Sequence, residues 1–351
     1  MTLAQKKAEP GLLKCVVWDL DDTLWSGVLS ESADVTLRPG VTDLLNALDA
    51  RGVLNSIASR NNHDDALEKL RAFGLDTMFV APQISWSNKA ASIQAIADTL
   101  SLGLNSLAVI DNDPAERAEV ALTHPDVRIF DETQLEDVLD HAPQAGSLTT
   151  ESAQRRKMYI DEARRVDAER DFDGSRTAFL RSLNLKFAIS PARKEDLERA
   201  EELTRRTNQL NATGTSYSME ELENLMVSPD HALIMASLED SFGSYGKIGL
   251  AIIEKGAEVW TLKILLMSCR VISRGAGTVM LARIIARAQS AGVRLKADFI
   301  DTGRNRPLFI TYRLAGFREV ARNGDAVEFE LQFPDAIQIP DYVDIVETNM
   351  S

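Results

Sequence analysis

An apolar run at residues 12–18 ends abruptly on acids, with Trp18 followed by Asp19-Leu20-Asp21-Asp22-Thr23. Four acids or hydroxyls within five residues make a poor core and a good cation site. The run therefore reads as a buried strand whose end opens onto a polar edge. Similar short runs recur at 53–58, 78–81, 107–110 and 127–130, with helix-like stretches at 41–50, 63–73, 88–101 and 115–122 between them. Buried strands alternating with helices specify an α/β fold, a doubly wound parallel sheet. Asp19, Ser59 and Asp111 each follow one of these runs directly, on the edge where open α/β sheets place their sites.

The second half has a different rhythm. Residues 142–152 are small and polar with Pro and Gly, as in a linker, and a charged helical stretch follows at 151–170. Helices are predicted near 175–183, 193–205 and 218–227, and strands near 232–238, 248–254 and 258–266. A helix near 276–291 is closed by Gly292 in the usual C-terminal position. The expected organisation is an α/β domain over 1–145 and an α+β domain over 146–351, which agrees with about two domains for 351 residues.

Charge narrows the partners. The chain carries 39 Lys+Arg against 53 Asp+Glu, a net charge of −14, and 23 of those acids but only 11 of the bases lie in residues 1–145. An acidic chain without a basic tract argues against nucleic acid, whose phosphates demand clustered cations. Arg270, Arg274, Arg283, Arg287, Arg304 and Arg306 present either a basic patch to an acidic partner or solvated helix faces. Two cysteines make no disulfide framework. The opening residues lack the apolar core of a signal peptide, and no apolar run reaches the roughly 18 residues of a membrane span. The expectation is a soluble, cytoplasmic protein with no membrane partner.

Asp19 and Asp21 sit two residues apart where a strand turns. One carboxylate in such a pair attacks phosphorus and the other carries a proton to the leaving oxygen. Mg²⁺ would offset the charge of the phosphate that an anionic nucleophile approaches. The DxDxT segment resembles the haloacid dehalogenase (HAD) superfamily, and further pieces follow in that family's order. Ser59, in Ile57-Ala58-Ser59-Arg60-Asn61, matches the hydroxyl that holds the phosphoryl group, with Arg60 beside it. Lys89, in Trp86-Ser87-Asn88-Lys89, matches the lysine that offsets phosphate charge. Asp111, in Val109-Ile110-Asp111-Asn112-Asp113-Pro114, matches the acid that completes the magnesium site. The resemblance implies Asp19 as nucleophile, Asp21 as acid/base, Thr23, Ser59, Arg60 and Lys89 around the phosphate, and Mg²⁺ on Asp19, Asp21 and Asp111. Where a second adjacent acid is usual the chain has Asn112, so either the site is weaker or Asp113 substitutes. The short spacings from 23 to 59 and from 59 to 89 leave no room for a large cap domain.

A second constellation lies at 258–277. The predicted strand at 258–266 runs into Met267-Ser268-Cys269-Arg270-Val271-Ile272-Ser273-Arg274-Gly275-Ala276-Gly277. A thiol at a strand end, near a helix N-terminus and beside Arg270, is in a setting that favours the thiolate. An isolated cysteine is more often a small buried hydrophobe, and that is the reading for Cys15 inside the first run. The Gly275–Gly277 turn offers N–H groups to an anion such as a phosphopantetheine phosphate. It is similar to the acyl-CoA-binding turn of GNAT-type acyltransferases, except that Ile272 stands where Gln or Arg is usual.

Motifs from both halves together resemble the FkbH-like family, an uncapped HAD subclass fused to a GNAT-like domain. They are Trp18 to Val28, Arg206-Thr207-Asn208-Gln209-Leu210-Asn211, Asp240-Ser241-Phe242-Gly243, Ser268-Cys269-Arg270-Val271, and Arg304-Asn305 with Tyr312 and Gly316-Phe317. The resemblance implies an enzyme that takes D-1,3-bisphosphoglycerate and places a glyceryl group on an acyl carrier protein for polyketide assembly, with Cys269 carrying the acyl group. Asn208, Asn211 and Asn305 are then candidate contacts to the glyceryl group or the pantetheine arm, alongside Arg270, Arg274, Gly275 and Gly277; the asparagines are equally turn formers. Two other readings compete: a magnesium-dependent phosphatase whose second half only docks a carrier, and an acyl-CoA acyltransferase with a decayed first domain.

Overall fold

The computed structural model describes residues 11–32, 34–143, 149–207, 209–332 and 339–347. The chain divides into two compact units, Met1–Ala163 and Arg164–Ser351.

In the first unit, strands β1 (Cys15–Trp18), β4 (Leu54–Ser59), β5 (Gln83–Ile84), β6 (Leu107–Ile110) and β7 (Arg128–Phe130) form one sheet in the order β5-β4-β1-β6-β7. Every pairing in it is parallel. A two-strand ribbon, β2 (Trp25–Ser26) with β3 (Thr36–Leu37), branches off after β1. Helices α1 (Val41–Ala50), α2 (His63–Ala72), α3 (Lys89–Thr99), α4 (Pro114–Thr123) and α5 (Leu135–Asp140) cover the sheet. Strand alternation explains the double winding. Val16 and Trp18 point into a core with Leu44, Leu48, Leu70 and Val138 of α1, α2 and α5. Cys15 and Val17 point into a second core with Ile93, Ile96 and Val120 of α3 and α4. Trp18 is fully buried because its indole N–H finds a partner, Asn55 Oδ1 at 3.0 Å. Cys15 is a core residue, and burial alone pushes its thiol far up.

The third apolar run behaves differently from the sequence expectation. Around 78–81 only an isolated bridge forms, between Asn55 and Phe79, and the edge strand starts later, at Gln83. Ala81 adopts φ 49°, a left-handed conformation that interrupts the extended chain.

The two units meet within a helix rather than in the small-residue stretch. After α6 (Thr150–Ala153), helix α7 (Arg155–Arg170) spends its first turns on the first unit. Arg156 makes an ion pair with Asp49 at 3.0 Å, and the Tyr159 hydroxyl donates to the carbonyl of Leu100. These contacts carry the first unit past the expected boundary at 145.

The second unit is α+β, as expected. It contains α8 (Arg176–Ser182), β8 (Leu185–Pro191), α9 (Leu197–Arg206), α10 (Met219–Val227), β9 (His231–Asp240), β10 (Gly243–Lys255), β11 (Val259–Met267), α11 (Ala276–Ser290), β12 (Arg294–Ile300), α12 (Arg306–Leu314), β13 (Phe317–Asn323), β14 (Ala326–Leu331) and β15 (Val343–Glu347). Its sheet runs β13-β14-β12-β11-β10-β9-β8-β15. The β9–β10 hairpin is tied to α7 by a buried bidentate pair, in which Arg165 donates to both oxygens of Asp240 at 2.7 and 2.8 Å. The same guanidinium lies over the Tyr245 ring at 4.0 Å. Strands β11 and β12 pair in parallel only from Val259–Leu262 against Arg294–Ala297 and then fork. Among the described residues, no helix is long and apolar enough to cross a membrane.

Candidate functional site

The first unit assembles its polar residues at the carboxyl edge of the sheet. Asp19 leaves β1 with its N–H bonded to the carbonyl of Ile110. The chain then coils so tightly that the N–H groups of Thr23, Leu24 and Trp25 all bond to the carbonyl of Leu20. Asp22, at φ 51°, supplies the left-handed residue this coil needs, and its side chain accepts from Gly27 N–H at 2.8 Å.

The coil fixes Asp21. Its Oδ1 accepts from Trp25 Nε1 at 2.8 Å and from Leu29 N–H at 3.0 Å, while Oδ2 accepts from Asn61 Nδ2 at 2.9 Å. Three donors orient this carboxylate. Thr23 acts as a tie between loops. Its hydroxyl donates to Asn112 Oδ1 at 3.1 Å and accepts from Asn112 N–H at 2.9 Å, joining the turn after β1 to the turn after β6.

Lys89 is the first residue of α3 and is 2% exposed. Its ammonium lies 2.6 Å from Asp19, 2.9 Å from Asp111, 2.9 Å from Glu116 and 2.8 Å from the carbonyl of Ala58. One cation thus gathers three carboxylates, from the end of β1, the end of β6 and the first turn of α4. Burial pushes Asp19 up to about 6, although Lys89 pulls the other way. Burial likewise raises Asp111 against the pull of Lys89. Burial works to lower Lys89 itself, but Asp19 and Asp111 outweigh it and the amine is raised. Both sides of the pair move up, the acids chiefly through burial and the amine through the acids around it. Ser59 ends β4 with its hydroxyl buried and without a hydrogen-bond partner. Arg60, next along and half exposed, reaches Glu116 at 3.1 Å and Glu119 at 3.7 Å.

This donor set suits a hard divalent cation. Oxygens of Asp19, Asp111 and Glu116 all lie within 4.8 Å of one another, and all are carboxylate oxygens, the ligands Mg²⁺ takes. The sequence expectation puts the metal on Asp19, Asp21 and Asp111, whereas the carboxylates that cluster are those of Asp19, Asp111 and Glu116. Asp21 is engaged by its own three donors and is outside the group. Asn112 is held by Thr23, and Asp113 is exposed and caps α4 by accepting from Ala115 N–H. The third carboxylate beside Asp19 and Asp111 is that of Glu116. A signal for it was present in the chain, because Pro114 at the first helical position puts Glu116 in the first turn, facing back toward the loop that carries Asp111.

In the second unit the region around Cys269 is a bent connection. Ser268 N–H bonds to the carbonyl of Ile248, residues 269–274 form a short 3₁₀ stretch, and Gly275 turns the chain at φ 74° into α11. Cys269 is intermediate in burial as a residue, whereas Cys15 is buried. Arg270 donates to the carbonyl of Tyr245 at 3.0 Å. Arg274 is 2% exposed and lies 3.7 Å from Glu169 of α7. The Gly275 turn is crossed by the C-terminal segment: a Cβ on Gly275 would stand 3.0 Å from Tyr342 Oη and 3.3 Å from Pro340 Cγ. At Gly277 the nearest neighbour of such a Cβ is Met267 Cγ at 3.8 Å.

Asn305 is fully buried and spends its amide inside the fold. Its Nδ2 donates to the carbonyls of Asn211, Ala212 and Ile300, and its Oδ1 accepts from Thr302 N–H. Asn211 caps its own turn by accepting from Thr213 and Gly214. Asn208 lies outside the described residues. The segment held by Asn305 fills the fork between β11 and β12: Met267 N–H bonds to the carbonyl of Leu210, Ala212 N–H to that of Leu265, and Ile300 N–H to that of Ala212. Just past the last paired residues, Lys263 and Asp298 bridge the fork at 2.6 Å. They line a cleft of about 480 Å³ with Thr213, Thr215 and Tyr217, and Cys269 is not among its lining residues.

No protein-family model matches the chain, and no curated protein does. Among solved structures it is similar to the N-terminal part of the protein BF1531 from Bacteroides fragilis, which contains a phosphatase domain complexed with Mg, at 26% identity and a TM-score of 0.34. That alignment covers 38% of this chain and 42% of the other, so the chain spans well under half the length of that relative. It is also similar to the ribosomal-protein-S18-alanine N-acetyltransferase of Escherichia coli (19% identity, 44% of this chain, 97% of that one, TM-score 0.35). A third is the PaiA N-acetyltransferase of Thermoplasma acidophilum in complex with coenzyme A (18% identity, 42% and 99%, TM-score 0.35). The fold itself rests on the strand order of each unit: an uncapped, all-parallel sheet first, and a forked mixed sheet second.

Proposed function

We propose that this chain is a bifunctional glyceryl transferase and magnesium-dependent phosphatase. It takes D-1,3-bisphosphoglycerate, forms a glyceryl thioester on Cys269, removes phosphate at Asp19, and passes the glyceryl group to the phosphopantetheine thiol of an acyl carrier protein in polyketide biosynthesis. The observation that supports this reading is the coexistence, on one chain, of the buried Asp19–Lys89–Asp111–Glu116 group and a half-buried cysteine just past a strand end.

The chemistry balances without ATP. The Cys269 thiolate attacks C1 of the acyl phosphate; the carbon–oxygen bond to phosphorus breaks and inorganic phosphate leaves. The carrier thiol then attacks the thioester, and Cys269 recovers its sulfur. At the 3-phosphate, an Asp19 oxygen attacks phosphorus, the phosphorus–oxygen ester bond breaks, and Asp21 gives a proton to the departing alkoxide. Water hydrolyses the resulting aspartyl-phosphate. Asp19, Asp111 and Glu116 would hold Mg²⁺, which would supply charge neutralisation to the phosphate. The unpartnered Ser59 hydroxyl and the Lys89 ammonium bind the phosphoryl oxygens. The absence of a cap between β1 and α3 suits a substrate carried on a protein.

Intact-protein mass spectrometry with 1,3-bisphosphoglycerate and a carrier protein tests this. The expected result is a glyceryl adduct on the enzyme and then on the carrier, with both lost in Cys269→Ala. Loading of the carrier by Cys269→Ala would overturn the acyl-enzyme.

A second reading is favoured by one feature, the covering of the Gly275 turn by Pro340 and Tyr342. It is a phosphatase whose second unit only docks the carrier. That reading expects phosphate release from a phosphoglyceryl carrier with no adduct on Cys269.

A further inference from the structure

The half-exposed Arg60 is anchored on an acid that the cation site also uses. Glu116 has two carboxylate oxygens: Oε2 lies 2.9 Å from Lys89 Nζ, and Oε1 lies 3.1 Å from Arg60 Nη1. Arg60 is otherwise loosely held, at 3.7 Å from Glu119 and 3.5 Å from the carbonyl of Ser87, with its side chain 44% exposed. Its chain neighbour Ser59 keeps a buried hydroxyl with no partner. Among the described residues this pair joins a buried hydroxyl without a partner to a half-exposed cation at one strand end. A guanidinium fork prefers the two oxygens of an oxyanion to a single carboxylate oxygen.

We propose that Arg60 is handed over between Glu116 and a bound phosphate, so that divalent-cation binding and phosphate binding reinforce each other through this one side chain. The proposal rests on the phosphatase reading above. Without cation or phosphate, Arg60 neutralises the outer oxygen of Glu116. A cation that takes Glu116 weakens that anchor and frees the guanidinium for phosphate beside Ser59. Phosphate, by drawing Arg60 away, returns the Glu116 oxygen to the cation. Linkage makes the two effects equal in size, on the order of 5- to 150-fold for coupled sites. The site then closes on phosphate and cation together and holds either one alone poorly.

Direct attraction between the two ligands also couples them, so the decisive measurement is a double-mutant cycle read by binding. The full chain is titrated calorimetrically with inorganic phosphate in the absence of divalent cation, as native protein, Glu116→Gln, Arg60→Ala and the double variant. Releasing Arg60 by Glu116→Gln is expected to tighten phosphate roughly tenfold in the native background and less than about twofold once Arg60 is alanine. Equal gains in both backgrounds would mean a general charge effect and would overturn the handover. Titration of MgCl₂ with and without phosphate gives a second readout, for which Arg60→Ala or Arg60→Met suffices should Glu116→Gln fold poorly. Mutual tightening is expected to shrink severalfold in either variant, and unchanged tightening would overturn the handover. Failure of the native protein to bind phosphate even with MgCl₂ would instead remove the phosphatase reading and this proposal together.

Discussion

Replacing Lys89 by methionine keeps most of the side chain's length and removes its charge. In the native protein the ammonium stands 2.6–2.9 Å from three carboxylates and is 2% exposed. Without it, Asp19, Asp111 and Glu116 face one another, with Arg60 touching only Glu116. Breaking a buried ion pair by removing one partner costs about 3–5 kcal/mol, because a buried charge is left uncompensated. For a unit of this size each kcal/mol moves the midpoint by about 2–4 °C, so the first unit of Lys89→Met should melt about 6–20 °C below native in EDTA at about pH 7.5. Two features distinguish this cause from simple loss of packing. The deficit should shrink toward about pH 5, where the crowded acids take up protons, since burial already holds Asp19 near 6. MgCl₂ should also restore more stability to the variant than to the native chain, because a ligand stabilises according to its affinity and the variant offers the same oxygens without a resident cation. Scanning calorimetry of both proteins, with EDTA and with MgCl₂, reads all three outcomes. A first-unit transition within about 2 °C of native in EDTA would refute the reasoning.

Two further outcomes follow from the same physics. Burial raises Asp19 from 3.8 to about 6, so the folded form holds a proton that the unfolded chain releases. The stability this group contributes is therefore present below about pH 4 and lost as pH rises to about 6, about 3 kcal/mol in all. Asp19→Asn, which does not titrate, should gain about that much relative to native between those limits in metal-free chemical denaturation; a difference flat with pH would contradict the shift. In the second unit, Arg165→Met leaves the Asp240 carboxylate, fully buried, without its bidentate partner. The second unfolding transition should fall by about 3–5 kcal/mol. Arg165→Lys should recover little, because an ammonium has neither the fork nor the stack on Tyr245; near-native stability for Arg165→Lys would refute that account.

Much of the first unit was legible in the chain because its information is local. Helices expected at 41–50 and 63–73 occur at Val41–Ala50 and His63–Ala72, each set by an apolar face of its own. Asp19, Ser59 and Asp111 were found because each is the residue at or just after a strand's end. The expected strand at 78–81 failed for a local reason that composition hides, the left-handed backbone of Ala81. Cys269 was legible as a residue at a strand end, but whether it was core or accessible was a question only packing answers.

By itself the sequence determined the alternation of strands and helices, the two-part organisation, and the placing of acids at strand ends, because periodicity and strand-end position are properties of neighbouring residues. Only the tertiary structure decided the partnerships. Thr23 bonds with Asn112, 89 residues away. Glu116, not Asn112 or Asp113, joins Asp19 and Asp111, because α3 and α4 lie on one face of the sheet and Lys89 draws the three acids together. Asn305 locks Leu210–Ala212 into the fork of the second sheet, and Pro340 and Tyr342 cross the Gly275 turn. Apart from Asp111 with Glu116, each of these pairings spans tens of residues. A side chain's partner at that range is set by which elements pack together and by how many of its hydrogen bonds are already spent, and neither quantity is written in the neighbouring residues.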